Sequence, residues 1–240
     1  MTLSRRDAIR ISGTALAGLS LSAVGATKLA PARAQSIRAP LADELVEMPL
    51  TPRAHLPLNS DGSAPEYSPL DAGGITEPLM WRYTQGQTPQ IEFDYRRMEV
   101  EVDPGGMARL GGTLTFDDLE PLPEVSQTTL LQCGVPNPRG IVTWTGVRFR
   151  DFAEMIGLQP HAHYCRVVGS DRYYVDEDVE TMLHPQVMLA WLMNGDPIPA
   201  EHGAPLRLLV PFRYGARSVK AITEIYFGSP GLRGQPLPEG

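Results

Sequence analysis

The hydrophobic pattern changes character near residue 90. Between residues 35 and about 90, Pro, Gly, Ser and Asp interrupt every apolar run, so long regular elements cannot form. This stretch is expected to be an extended arm, with a loop at Asn59-Ser60-Asp61-Gly62-Ser63 and aromatic bulk at Leu79-Met80-Trp81-Arg82-Tyr83. Beyond it the pattern is periodic. Residues 91–95 and 98–102 alternate apolar and polar positions and predict two half-exposed strands. Asp103-Pro104-Gly105-Gly106 is a turn, and residues 108–110 predict a short return strand. Thr115 is placed to cap a short helix through Leu119. Residues 125–133 predict a strand that ends in a turn rich in Gly and Pro. Phe149, Phe152 and Ile156 form a helical stripe across residues 147–158, and Gly157 ends it. A strand is expected at 164–168, a short acidic helix at 176–183, and a strand or helix at 186–193. The turn Asn194-Gly195-Asp196 follows, then strands at 206–210 and 219–227. Strands dominate, so the fold class is α+β: a mixed, mainly β domain with short helices and a barrel-like core.

The first 34 residues do not belong to this pattern. Paired arginines at Arg5-Arg6 precede a stretch of small and apolar residues, and Ala32-Arg33-Ala34 has the form of a cleavage site. This predicts a twin-arginine signal over residues 1–34, and hence a periplasmic protein exported already folded. Residues 35–75 then form the arm, and 76–240 a single domain. A second apolar segment is missing from the sequence, so the remainder is not expected to span a membrane.

Charge narrows the partners. The whole chain carries −7; residues 1–34 hold five of its 21 basic and one of its 28 acidic residues, so the remainder carries −11. Such a balance argues against nucleic acid and anionic lipid. Only two cysteines occur, Cys133 and Cys165, enough for one disulfide in an oxidising compartment. The sequence has no Cys-x-x-Cys, no covalent haem motif, no phosphate loop and no dinucleotide glycine signature.

The candidate chemistry starts at Cys133. A strand delivers it to a turn, with Arg139 and then Trp144 following. A thiolate there would be a soft metal ligand and the arginine an anion anchor, although a buried structural cysteine fits the same stretch. Arg207, Arg213, Arg217 and Lys220 gather cations in an otherwise acidic chain, as an anion site or as a solvated loop. His161, His163 and Cys165 alternate, which allows metal ligands on one strand face or a strand entering the core.

Three segments carry a resemblance. The first is the Cys133 turn with Trp144-Thr145-Gly146. The second is Leu189-Ala190-Trp191-Leu192-Met193-Asn194-Gly195. The third is His202-Gly203-Ala204-Pro205-Leu206-Arg207, continuing to Arg217-Ser218-Val219-Lys220. Over about residues 76–229 the chain resembles the sulfite oxidase family of molybdopterin enzymes. The resemblance implies that family's fold and a molybdenum ion on one molybdopterin. It implies Cys133 as the metal's thiolate, and His202, Arg207, Arg217, Ser218 and Lys220 as holders of the pterin and its phosphate. Arg82 and Arg139 would line the substrate pocket with Trp144, while Trp191 stands where relatives are expected to carry a catalytic tyrosine. It further implies oxygen-atom transfer on a small sulfur-containing substrate and a separate haem protein as electron partner. Sulfite oxidation, sulfoxide reduction and a cofactor-free binding protein are the alternatives it leaves. Departures from the family lie in the short loop from Cys133 to Trp144, in Tyr83-Thr84-Gln85 after Arg82, and in an end soon after Phe227 with no dimerisation or haem domain.

Overall fold

The computed structural model describes residues 55–75, 81, 84, 86–134 and 139–232. The expected signal, the first part of the arm and Arg82 lie outside the described residues. Ten strands form two five-stranded sheets. The first sheet has the order β2-β1-β10-β5-β6, with β1 (Glu99–Asp103), β2 (Gly112–Thr115), β5 (Tyr164–Gly169), β6 (Tyr174–Asp178) and β10 (Ile222–Gly228). Only β1 and β10 run parallel; their neighbours are antiparallel. The second has the order β3-β4-β7-β8, with β9 also on β7: β3 (Glu124–Gln132), β4 (Arg139–Arg148), β7 (Met188–Met193), β8 (Asp196–Pro197) and β9 (Arg207–Leu209). The architecture is the mainly β, α+β class that the pattern predicts, but as two sheets rather than one mixed barrel-like sheet.

The main core lies between the sheets. Val100, Val102, Leu114, Val167 and Ile225 of the first sheet meet Val147, Leu189, Trp191 and Leu208 of the second. Helix α2 (Phe149–Met155) closes it, with Phe149 and Phe152 fully buried and their rings 5.3 Å apart. A smaller cluster covers the other face of the second sheet: Leu131, Val142, Trp144, Met188, Ala190 and Leu209, with Ile75 packed on it. Both clusters therefore draw on β7, one from each face, as strand alternation requires.

Several expected elements shift. Residues 91–95 form no strand; Asp94 accepts a hydrogen bond from the Arg96 N–H (3.0 Å) and caps the 3-10 turn Tyr95–Arg97. A side chain offering the backbone a local partner competes with the sheet. The return strand comes later than residues 108–110, as β2. Helix α1 (Phe116–Leu119) does follow Thr115, whose N–H and hydroxyl both donate to Asp118. Residues 147 and 148 extend β4 instead of opening a helix, because Val147 pairs with Glu124 on one side and Leu189 on the other. The acidic segment at 176–183 splits: β6 runs to Asp178, which caps α3 (Val179–Met182) through the Thr181 N–H at 2.6 Å. Residues 186–193 resolve to the strand β7. Cys133 and Cys165 are both free thiols; Cys165 is fully buried in the main core, and burial pushes its thiol well above the ordinary range. No helix among the described residues is long and apolar enough to cross a membrane.

Candidate functional site

Cys133 follows immediately after β3 and is half-buried. It lies two residues beyond Leu131, so the alternation of β3 carries it onto the face of Leu131, Val142 and Trp144. The loop after β9 closes on this strand end: a Cβ added at Gly215 would sit 3.4 Å from the Gln132 carbonyl oxygen. Across the ladder, Gln132 pairs with Arg139, an exposed residue at the start of β4.

The same sheet face carries one buried cation, Arg207, with the half-buried Lys220 near it. Arg207 pairs with Ala190 across β7 and β9, and its guanidinium lies 5.1 Å from the Trp144 ring. It is 4 % exposed, and burial pushes its pKa down to about 10. One guanidinium nitrogen, Nη1, donates to the His202 carbonyl at 2.5 Å. His202 ends the 3-10 turn Ala200–His202, where burial first and the Arg207 charge second lower its pKa. Gly203 follows with φ +109°, a region that disfavours L side chains. A Cβ on Gly203 would lie 2.9 Å from Lys220 Cβ, so the glycine lets the segment before β10 close in. The Lys220 amine donates to the Glu201 carbonyl at 2.6 Å and sits 4.9 Å from the Trp81 ring centroid. Burial, helped by Arg207, pushes its pKa down to about 8. The β5–β6 turn supports this loop from behind: Ser170 N–H donates to the Ala221 carbonyl, and the Tyr173 hydroxyl to the Ala216 carbonyl.

Three buried donors here have no acceptor among the described residues: Arg207 Nε, Trp144 Nε1 and Trp81 Nε1. Leaving a buried N–H unpaired costs about 1–3 kcal/mol, more when charged. A fold that keeps three of them beside two cations is shaped for an anionic group rich in acceptors. A phosphorylated pterin has that chemistry, and Cys133 on the same face offers the soft ligand for a metal. The residues present therefore fit molybdenum on molybdopterin.

Not every residue expected at the site points there. Arg217 turns toward β6, where its Nε meets Glu177 at 2.5 Å and its Nη2 bonds the Asp176 carbonyl. It fastens the loop and does not face Arg207. The Ser218 hydroxyl accepts the Val210 N–H at 3.1 Å and likewise holds the loop shut. Trp191 lies on the opposite face of β7, in the main core, with Phe116 edge-on at 5.3 Å and Tyr95 stacked at 6.4 Å. Leu189, two residues earlier, packs in the same core, so plain alternation along β7 turns Trp191 inward. Trp81, which sequence alone leaves as aromatic bulk, is instead brought onto Lys220.

Comparison with known proteins agrees with the chemistry of the site. Residues 85–231 match the family model described as oxidoreductase molybdopterin binding domain. A relative in Azospira oryzae, named as a candidate protein-methionine-sulfoxide reductase subunit YedZ1, is 32% identical over 152 residues, covering 63% of this chain and 57% of the relative. Human mitochondrial sulfite oxidase is 30% identical over 211 residues, covering 75% of this chain and 38% of the enzyme. This chain thus spans little more than half of the first relative and less of the second. The crystal structure of the sulfane dehydrogenase SoxCD from Paracoccus pantotrophus aligns with TM-score 0.53 at 20% identity, over 74% of this chain and 50% of that one, which supports the fold. With a family match across most of its length and a buried cationic face beside a free thiol, this chain belongs to the oxidoreductase molybdopterin-binding domain family and is a molybdopterin oxidoreductase related to sulfite oxidase.

Proposed function

We propose that the chain is a periplasmic enzyme that moves an oxygen atom on a small sulfur-containing oxyanion, sulfite being the model substrate, and exchanges electrons with a separate haem protein. The bound molybdenum cofactor supplies the two-electron oxygen-atom chemistry. This chain's residues supply the setting. Cys133 would give the metal its thiolate. Arg207, Lys220 and the N–H groups of Trp81 and Trp144 would hold the anionic tail of the pterin, and His202 and Ser218 would shape the loop around it. Arg139, exposed at the start of β4 and close along the ladder to Cys133, would reach round the strand ends to draw an oxyanion toward the metal and offset its charge. Arg82, outside the described residues, is proposed as a second cation for the same oxyanion. The observation that carries the reading is the trio of unpaired buried donors on the face that leads to Cys133.

A sulfoxide reductase is the second reading, favoured by the printed name of the Azospira relative. The two readings part on charge, since a sulfoxide is neutral and gains little from Arg139. Purified, molybdenum-loaded protein is assayed with sulfite plus ferricyanide and with methionine sulfoxide plus reduced viologen. Faster turnover of sulfite, lost in R139Q through a raised KM, supports the proposal; turnover of sulfoxide alone replaces it. The twin-arginine route is tested by replacing Arg5-Arg6 with Lys-Lys, which should hold the protein in the cytoplasm.

A further inference from the structure

We infer that Asn194 is a positioning residue for the substrate side of the site, acting through the strap formed by residues 73–75. The inference rests on the oxyanion reading above and extends it to a residue that touches neither metal nor pterin.

The arm first runs beside the outer edge of β3, where Glu66 bridges Thr129 and the Tyr67 N–H donates to the Thr128 carbonyl. Six residues later it has reached the other edge of β4, where the Gly73 N–H donates to the Ile141 carbonyl at 2.9 Å. It therefore crosses the sheet at the end that bears Arg139 and Cys133. The crossing is tight: a Cβ on Gly140 would meet the Gly74 carbonyl oxygen at 2.8 Å and Ile75 Cα at 2.9 Å. No other residue type at 140 lets the strap lie so close to the residue next to Arg139.

Asn194 joins strap to sheet. It stands just past β7 with φ +54°, which Asn tolerates better than most residues. Its Oδ1 accepts the Thr143 N–H at 2.9 Å, and its Nδ2 donates to the Gly73 carbonyl at 2.8 Å. Its own N–H donates to the Thr143 carbonyl at 2.7 Å. One side chain thus fills an open position of β4 and fixes the strap beside it. The chain beyond the strap leads to Trp81, which lies over Lys220. With both ends of this crossing fixed, the Cys133 face has a constant wall beside it, and an oxyanion finds its binding geometry already set.

Two variants separate this role from a merely structural one. N194D keeps the acceptor for Thr143 and the backbone preference, but it removes the donor to Gly73 and opposes that carbonyl with a charge. N194G keeps the turn and removes both side-chain bonds. In the molybdenum-loaded full chain we expect both to raise the sulfite KM about three- to tenfold, with kcat within twofold and molybdenum content unchanged. Hydrogen exchange of residues 73–75, measured also on cofactor-free protein, should quicken about tenfold. Sulfate binding to the loaded protein should weaken in parallel with KM. An unchanged KM and sulfate affinity, or an unchanged exchange rate in N194D, overturns the inference. If the wild-type chain turns over neither sulfite nor sulfoxide, the functional reading fails, and the exchange and sulfate measurements still decide the role of Asn194.

Discussion

Arg207 shows how a single residue can serve binding against stability. It is a buried cation whose Nε finds no acceptor, and such a group weakens the fold unless a ligand completes it. Replacing it with Met should leave the cofactor-free protein as stable as before or about 1 kcal/mol more so, by thermal unfolding. The same change should weaken inorganic phosphate binding to the cofactor-free protein by at least about tenfold, by calorimetry. Lys220 adds a pH dependence. With its pKa pushed down to about 8 from an ordinary 10.5, it starts to lose its proton where a free lysine keeps it. A bound anion favours the charged amine, so phosphate binding should take up a proton and should weaken as pH rises through about 8. Calorimetry in buffers of different ionisation enthalpy reads that proton directly. In the window from about 8 to 10.5 the unfolded chain holds more protons than the empty fold, so this group makes the empty fold gain stability as pH rises. An anion-bound fold should lack that gain.

Among the elements, the loop from His202 to Lys220 matters most, and its geometry hinges on Gly203. Alanine there would combine a left-handed backbone with a 2.9 Å contact to Lys220 Cβ. G203A should cost about 2 kcal/mol or more by denaturant unfolding and should push Lys220 off the Trp81 ring. This loop also marks how far sequence reading reaches. The strand that ends at Cys133 could be read from its apolar run and its Gly-Pro turn, because both signals are local. The cations Arg207 and Lys220 could be read as a set, because an acidic chain made them stand out. Their directions could not. Arg217 faces Glu177 because β6 lies behind the loop, a contact between segments 40 residues apart in the chain. Trp191 faces the core because it shares the face of Leu189, and a strand that is apolar from Met188 to Met193 does not announce which face is which. The spacing of Phe149, Phe152 and Ile156 predicts a helix that includes Val147, yet a strand on each side of it decides otherwise.

For the molecule as a whole, one core supports a site on the far side of a sheet. Phe149 and Phe152 lie between the sheets while Trp144 and Arg207 lie on the other face, so core changes reach the site through the strands that show a side chain to each, β4, β7 and β9. F149A should cost about 3–5 kcal/mol in unfolding free energy and leave the phosphate affinity of the surviving folded protein within about twofold. The charge of −11 beyond residue 34 bears on the proposed electron partner. A cytochrome with a basic face should react faster than an acidic one, and stopped-flow rates with it should fall as salt is raised.

Lysine occurs twice in the chain, at Lys28 and Lys220, and only the second lies beyond the predicted cleavage point. In the processed protein, amine-directed reagents would therefore find one side chain and the new α-amine. Methylation or isotopic labelling of that side chain would report from inside the pocket with no other lysine competing. The proportion of molecules carrying a cofactor could then be counted by mass spectrometry as protection of a single nitrogen, before any turnover is measured.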